Sequence, residues 1–205
     1  MIVNNVQVYG LNESIIASGY PMSTEVENWM DDSMGQTDEI VDEKDWKRAI
    51  KLAQTPIGSG HSTYLQGVVV QFDLTFTVKA WTEAERYHFL DFVSSQSTMH
   101  RITKFDLDKA YIGYVDPKIV EVMKEKVTDY LAEEDSEKKK EKYLEILYSN
   151  PCGCKLTARM TTNYQQLRTI YQQRKNHRLP EWREFCDWIK TLPYGNELII
   201  GESDG

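Results

Sequence analysis

The chain has 205 residues, of which 40% are hydrophobic and 27% are charged, and its formal net charge is -8. An acidic protein repels a polyanion, so this balance argues against general nucleic-acid binding. No apolar run approaches the roughly 20 residues of a membrane span, and three cysteines are too few for a disulfide framework. We therefore expect a soluble, cytoplasmic protein with one domain over residues 1–200 and a disordered tail at residues 201–205.

The first part of the chain predicts one edge strand and one helix, separated by an acidic segment. Residues 2–9 alternate weakly and indicate the strand. A polar stretch without helical or strand periodicity then runs to about Val41, and the segment at about residues 20–42 is irregular and rich in acid. This segment is either a solvated surface or a surface that binds a basic partner protein. Residues 43–54 predict a helix with one apolar face, formed by Trp46, Ala49, Ile50 and Ala53.

The clearest local pattern is the segment GVVVQFDLTFTVK at residues 67–79. Its even-numbered residues from Val68 to Val78 are all apolar, and most of the residues between them are polar. Period-two alternation over this length predicts a long strand with one buried face. Thr82 and Glu85 then have the spacing of a capping box, which predicts a helix that starts there and continues to about Val93.

Helical patterns predominate in the second half of the chain. Asp116 followed by Pro117 combines an N-cap with a first-turn proline, and this pair predicts a helix that continues through Leu131. The run AEEDSEKKKEK balances its acids against its lysines and predicts an exposed helical connection. Further helices are predicted at residues 141–148, 161–175 and 180–191.

A glycine-rich turn with a histidine precedes the predicted strand. In GSGHSTYLQG, His61 and Thr63 follow two glycines. Such a turn beside a strand start can contact a phosphate group or an adenine, because glycine lets the backbone approach a ligand closely. The alternative is an ordinary turn histidine that is bonded to nearby backbone.

A second candidate segment is QSTMHRITK, at residues 96–104. Gln96 and His100 are four residues apart, so they share a face if the preceding helix extends that far. Arg101 could bind a phosphate through two parallel hydrogen bonds. The alternative is a polar helix end, where His100 and Arg101 interact favourably with the helix dipole.

A third candidate lies in the predicted helix at residues 161–175. Asn163 and Arg174 are eleven residues apart, which returns to within ~20° of the same direction on an α-helix. An arginine on a mostly apolar helix face needs a partner, because an unpaired buried charge is costly. That partner is either a ligand or an acid such as Glu181 or Glu184. Cys152 and Cys154 lack a second cysteine pair and a nearby histidine, so we expect no metal site.

Taken together, these segments resemble the flavin-dependent thymidylate synthases over roughly residues 43–190. The family pattern has a G-H-x-T segment before a strand, then a helix that ends in Q-x-x-R-H-R-x-x-S. Later in the chain come an asparagine and, eleven positions on, an arginine. The resemblance implies an α/β (α+β) protein that has a central, largely antiparallel sheet with flanking helices and assembles as a homotetramer.

The same resemblance implies an activity and a set of site residues. Members of the family convert dUMP into dTMP, with FAD as cofactor and with NADPH and methylene-tetrahydrofolate as co-substrates. By resemblance, FAD is bound by His61, Thr63, His100, Arg101 and Asn163. The nucleotide is bound by Gln96, Arg174 and His177, and Arg174 is the catalytic residue because it polarises the pyrimidine.

The chain departs from the family pattern where the nucleotide phosphate would bind. Met99 stands in place of the first arginine of the motif, and Lys104 stands in place of its serine. Leu147 replaces a further arginine, four residues before Pro151. Each lost charge-assisted contact costs ~1.5–3 kcal/mol, so we expect weakened dUMP binding and doubtful turnover.

Two alternatives from other functional classes remain open. One is a non-catalytic, phage-type derivative that keeps the fold and binds a nucleotide-like ligand. The other is an inhibitor that binds a basic protein through its acidic surface. The absorption spectrum of the purified protein separates these from the enzyme, because bound oxidised flavin is coloured.

Overall fold

The computed structural model describes residues 1–24 and 41–201. Residues 25–40, which include most of the predicted acidic segment, and residues 202–205 of the predicted tail lie outside the described residues. Within the described ranges, no helix is both long and apolar enough to cross a membrane.

Four strands form one antiparallel sheet in the described part of the chain. The strands are β1 (Ile2–Tyr9), β2 (Val69–Thr77), β3 (Asp91–Ser95) and β4 (Lys155–Asn163). They are ordered β1-β2-β4-β3, so β1 and β3 are the edge strands. The predicted edge strand at residues 2–9 and the predicted α+β class with a largely antiparallel sheet are both confirmed.

The period-two pattern of β2 predicted its burial correctly. Its even-numbered residues Val70, Phe72, Leu74 and Phe76 are fully buried. The strand nevertheless ends at Thr77, one residue before the end of the apolar pattern. The Thr77 hydroxyl accepts a hydrogen bond from the Ala80 backbone at 3.2 Å, and this N-cap starts helix α3 (Val78–Ala84).

The helix predicted from Thr82 to about Val93 is wrong. Because Thr77 already caps α3, Thr82 lies inside the helix, and its hydroxyl donates to the Val78 carbonyl at 2.9 Å. The chain turns after α3 and then forms strand β3. Every residue of β3 is exposed. Its sequence therefore lacks the alternation of apolar and polar residues that would indicate a strand with one buried face.

Eight further α-helices occur in the described residues. The bounds of the first four are α1 (Leu11–Ala17), α2 (Glu43–Ala53), α4 (Thr98–Arg101) and α5 (Leu107–Ala110). The bounds of the others are α6 (Pro117–Ala132), α7 (Ser136–Ser149), α8 (Tyr164–Arg174) and α9 (Pro180–Ile189). The predicted helices at residues 43–54 and 180–191 are confirmed within two residues at each end.

Several other predicted boundaries differ from the structure. The stretch after β1 contains α1, although no periodicity indicated it. The predicted helical connection at residues 132–142 is interrupted, because Asp135 accepts hydrogen bonds from Glu137 and Lys138 and starts α7. The strand β4 was not predicted, and it displaces the start of the predicted helix at 161–175 to Tyr164.

The described chain falls into two compact units. Unit 1 comprises residues 1–4, 73–88 and 92–160. It contains the helical hairpin of α6 and α7, and its apolar cluster is formed by Ile102, Leu107, Tyr111, Met123, Ile146 and Cys154.

Within the described residues, unit 2 comprises residues 5–24, 41–72, 89–91 and 161–201. Helices α8 and α9 pack together in this unit. The Phe72 ring lies 5.9 Å from the Phe185 ring and 4.7 Å from the Trp188 ring, between ring centroids. These contacts fix α9 in unit 2 and so determine where its first turn lies.

Candidate functional site

Arg174 is the last residue of α8 and is 9% exposed. Its Nη1 atom lies 2.8 Å from Nε2 of His177. The guanidinium carbon also lies 4.8 Å from the centroid of the Trp182 ring, at a distance typical of a cation–π contact. A guanidinium that is buried against an imidazole and an indole is strongly positioned, and a polar ligand there would bind in a low-dielectric environment.

His177 lies on the turn between α8 and α9. Its Nδ1 atom accepts a hydrogen bond from the Leu179 backbone at 3.2 Å. Its ring contacts Trp182 edge to face, with 6.4 Å between the ring centroids. The turn therefore places the imidazole beside Arg174.

Asn163 is the N-cap of α8 and not part of the helix. Its backbone is extended, with φ -137° and ψ 166°, and its Oδ1 accepts a hydrogen bond from the Gln166 backbone at 2.8 Å. The prediction that Asn163 lies within the helix is thus wrong, because α8 begins at Tyr164, three residues after the predicted start at residue 161. Since Oδ1 is used in the cap, the side-chain amide NH2 is the part of Asn163 that can donate to a ligand.

His61 and Thr63 lie on the predicted glycine turn of unit 2. Gly58 and Gly60 have φ of 90° and 81°, which L-residues rarely adopt, and a Cβ atom on either would meet nothing within 4 Å. Both side chains are exposed, and the Thr63 hydroxyl donates to the Gly60 carbonyl. The turn is therefore open on its outer side, and its shape depends on the two glycines.

Gln96, His100 and Arg101 belong to unit 1. Gln96 follows β3, and its backbone N–H and side-chain Oε1 bond the carbonyl and the N–H of Thr157, each at 2.9 Å. The condition under which Gln96 and His100 would share a helix face is not met, because α4 begins only at Thr98. His100 and Arg101 are exposed in the last turn of this four-residue helix.

Two positions at which the family has arginine carry side chains without hydrogen-bond donors. Met99 is 57% exposed, and its backbone carbonyl accepts a hydrogen bond from the Tyr143 hydroxyl at 2.7 Å. Leu147 is partly buried and packs against the apolar cluster of unit 1. Neither side chain can bind a phosphate.

Sequence reasoning missed a second buried cation on α8. Arg168 is 6% exposed and its Nη2 donates to the Thr55 carbonyl, while its Nη1 has no hydrogen-bond partner among the described residues. Burial lowers the pKa of Arg168, and the nearby Tyr64 opposes this shift. A sequence signal existed, because Arg168 falls four residues after Tyr164 and three before Tyr171, both of which are buried.

Comparisons with known proteins connect this geometry to one fold. No family model matches the chain, and no curated protein sequence matches it. Two crystal structures of thymidylate synthase X from Helicobacter pylori, a flavin-dependent enzyme crystallised with FAD and dUMP, match with TM-scores of 0.67. Each is 15% identical in sequence, and each match covers 97% of this chain and 97% or more of the other. The chain therefore has the flavin-dependent thymidylate synthase fold.

Proposed function

We propose that this chain binds FAD and a pyrimidine nucleotide at Arg174 and that its turnover of dUMP to dTMP is poor or absent. The observation that carries the proposal is the buried guanidinium of Arg174, held against His177 and Trp182 on a fold whose solved relatives bind FAD and dUMP. NADPH and methylene-tetrahydrofolate are the co-substrates of whatever turnover remains.

Arg174 has the chemistry of a pyrimidine-binding residue. A guanidinium can only donate hydrogen bonds, so it suits a carbonyl oxygen of the ring. Its burial strengthens the interaction of its positive charge with negative charge that develops on the ring during reaction. His177 keeps the guanidinium directed, and Trp182 covers one of its faces. In this role Arg174 is the catalytic residue.

The described residues of unit 2 also fit a flavin cofactor. The open turn at Gly58 and Gly60 carries the exposed side chains of His61 and Thr63, and an open turn of this kind suits a phosphate-bearing group. Asn163 keeps an amide NH2 for a carbonyl of the cofactor. FAD would supply hydride transfer, while the protein supplies position and charge. We assign His100 and Arg101 to the same cofactor on the family pattern.

The same proposal accounts for weak turnover. Met99 and Leu147 offer no donors where the family pattern has two arginines, and Leu147 packs into an apolar cluster. A nucleotide that loses two charge-assisted phosphate contacts loses ~3–6 kcal/mol of binding, if each contact is worth ~1.5–3 kcal/mol. After a loss of this size the site can still bind a ligand, but it binds dUMP too weakly for efficient turnover.

We also propose that the protein is a homo-oligomer, a tetramer by resemblance, in which FAD and nucleotide lie between subunits. This part of the proposal is supported by the fold and by the exposed side chains of the edge strand β3. It is tested separately from ligand binding.

The test combines a spectrum, a thermal shift and an activity assay. The purified protein is incubated with FAD, desalted and examined for the flavin absorption band, and its melting temperature is measured with dUMP. We compare wild type, Arg174→Ala and the exposed control Arg178→Ala. Tritium release from labelled dUMP is then measured with FAD, NADPH and methylene-tetrahydrofolate.

We expect retained flavin, a dUMP-dependent rise in melting temperature that only Arg174→Ala abolishes, and little tritium release. If no flavin is retained and no nucleotide shifts the wild-type melting temperature, the proposed site is wrong. Robust tritium release would instead contradict the claim of poor turnover.

A further inference from the structure

Arg168 is a buried cation on α8 that has no role in the site described so far. It lies between Asn163 and Arg174, which stand at the two ends of the helix, and it is 6% exposed. Its Nη2 atom donates to the Thr55 carbonyl, and its Nη1 atom has no hydrogen-bond partner among the described residues. A buried donor without a partner costs free energy, and replacing buried charged groups by apolar side chains of similar volume is often neutral. Stability alone therefore gives little reason for an arginine at this position.

The carbonyl that Arg168 contacts belongs to the segment that leads from α2 to the glycine-rich turn. The Ser59 hydroxyl donates to the Thr55 hydroxyl at 3.2 Å, and the Ser59 backbone N–H donates to the Pro56 carbonyl at 3.1 Å. His61 follows two residues later. Arg168 thus holds the start of a hydrogen-bonded segment that ends next to a residue assigned to the flavin.

The turn itself has little packing of its own. Every residue in the range 56–61 is exposed. On the far side of this range, the Tyr64 hydroxyl donates to the Ala49 carbonyl of α2 at 2.7 Å. Burial raises the pKa of Tyr64, and the nearby positive charge of Arg168 opposes that rise, so Arg168 lies close to this second anchor as well. The position of residues 56–61 therefore depends on the contacts of the residues that flank them.

We propose that Arg168 is a positioning residue of the flavin site, and that it fixes residues 56–61 relative to α8. The inference rests on the proposed function, in which His61 on the turn and Asn163 on α8 bind one cofactor. The hydrogen bond from α8 to Thr55 connects these two parts of the site directly. A cofactor that contacts both parts needs them at a fixed separation, and a site that is ordered beforehand avoids an ordering cost on binding. Arg168 itself touches no ligand in this role.

Flavin titration and hydrogen–deuterium exchange of the flavin-free full chain test the inference together. Arg168→Met keeps the length of the stem and removes the donor, whereas Arg168→Lys keeps a donor for the Thr55 carbonyl. The matched control is Arg48→Met. Arg48 also donates to backbone carbonyls within unit 2, but to those of Ile15 and Ile16 in α1, at 3.2 and 3.3 Å. Urea unfolding of each variant is measured in parallel.

We expect Arg168→Met to weaken FAD binding about tenfold, which is the loss that follows if the turn is correctly placed for only about a tenth of the time. Arg168→Lys should recover part of this loss, and Arg48→Met should bind FAD as wild type does. In the flavin-free protein, the backbone amides of residues 55–63 should exchange faster in Arg168→Met than in wild type, while the urea midpoint changes little. A merely structural role would instead lower the urea midpoint and speed exchange throughout unit 2.

Three results would overturn the inference. They are equal FAD affinity in wild type and Arg168→Met, unchanged exchange at residues 55–63 in that variant, and a loss of affinity that Arg48→Met shows to the same extent. Failure of the proposed function gives a different result, because wild type itself would then bind no FAD. The inference about Arg168 would fall with it in that case, whereas each of the three results above would leave flavin binding by the wild type standing.

Discussion

The Nη1 atom of Arg174 lies 2.8 Å from Nε2 of His177, while the other ring nitrogen of His177 accepts from the Leu179 backbone at 3.2 Å. A guanidinium can only donate hydrogen bonds, so at these distances both ring nitrogens of His177 would have to act as acceptors. A neutral imidazole carries one N–H and accepts at one nitrogen only. One of the two contacts is therefore a weaker hydrogen bond than its distance suggests.

The first prediction concerns this pair. Replacing His177 with alanine removes the contact that directs Arg174, so dUMP binding should weaken by ~0.5–1.5 kcal/mol, the usual net value of one hydrogen bond. The measurement is the dUMP concentration that gives a half-maximal thermal shift, with Arg178→Ala as control. An unchanged value for His177→Ala would mean that His177 does not position the guanidinium.

The second prediction concerns the core of unit 2. Phe72 is fully buried and its ring contacts Phe185 and Trp188. Phe72→Ala should reduce the free energy of unfolding by ~3–5 kcal/mol, because it removes a buried aromatic ring and leaves a cavity. Val122→Ala, at an exposed position of α6, should cost far less. Denaturant unfolding that gave similar losses for both variants would contradict the assignment of Phe72 to the core.

The third prediction concerns the buried charge of Arg168. Burial disfavours its charged form, as its lowered pKa indicates, yet Arg168 donates to the Thr55 carbonyl. Arg168→Met removes the charge and keeps the packing of the stem, so the loss of one hydrogen bond is offset and stability should change by less than ~1.5 kcal/mol. Arg168→Ala also leaves a cavity and should cost ~2–3 kcal/mol more. If Arg168→Met is the more destabilising of the two, the charge itself is needed.

The fourth prediction concerns the three cysteines, which are all free thiols. Burial raises the pKa of Cys186 to about 12 and also raises the pKa of buried Cys154, whereas Cys152 is exposed. One thiol per folded chain should therefore react with a thiol reagent at pH 8, and Cys152→Ser should abolish the reaction. Reaction of two or three thiols without unfolding would contradict this burial.

The same thiols give the direction of a pH dependence. Their folded-state pKa values lie above the ordinary thiol value of ~8.5, so the unfolded chain loses these protons first as the pH rises. Their contribution to stability is complete below about pH 8.5 and is lost progressively as the pH rises from there toward the folded pKa values. Urea unfolding at pH 8 and pH 10 should therefore show lower stability at the higher pH.

The fifth prediction concerns assembly. The side chains of Phe92 and Val93 are exposed on the edge strand β3. An exposed apolar edge strand tends to pair with another chain and so favours self-association. Light scattering at micromolar concentration should give a mass above that of one chain, and Val93→Lys should reduce it. A monomeric wild type would exclude the model of a pocket shared between subunits.

The helix starts show which features of this fold can be predicted from the sequence alone. Asp116 and Pro117 start α6 as predicted, because an N-cap acts within three residues and needs no distant partner. Thr77 and Thr82 are both possible caps, and the sequence alone favoured the wrong one. The choice depends on where β2 stops: the backbone N–H of Val78 bonds the Cys154 carbonyl at 2.9 Å, and this contact is distant in sequence.

The amino-acid sequence by itself determined the burial of β2, the spacing of Asn163 and Arg174 and the absence of hydrogen-bond donors from the side chains at positions 99 and 147. Only the tertiary structure decided that β3 is a strand, that Asn163 caps α8 and that Arg174 meets His177 and Trp182. Periodicity and caps act between neighbours in the chain and so can be predicted from the sequence. The exposed strand β3 and the buried arginines depend on which elements pack together, and that is settled by contacts between residues far apart in the sequence.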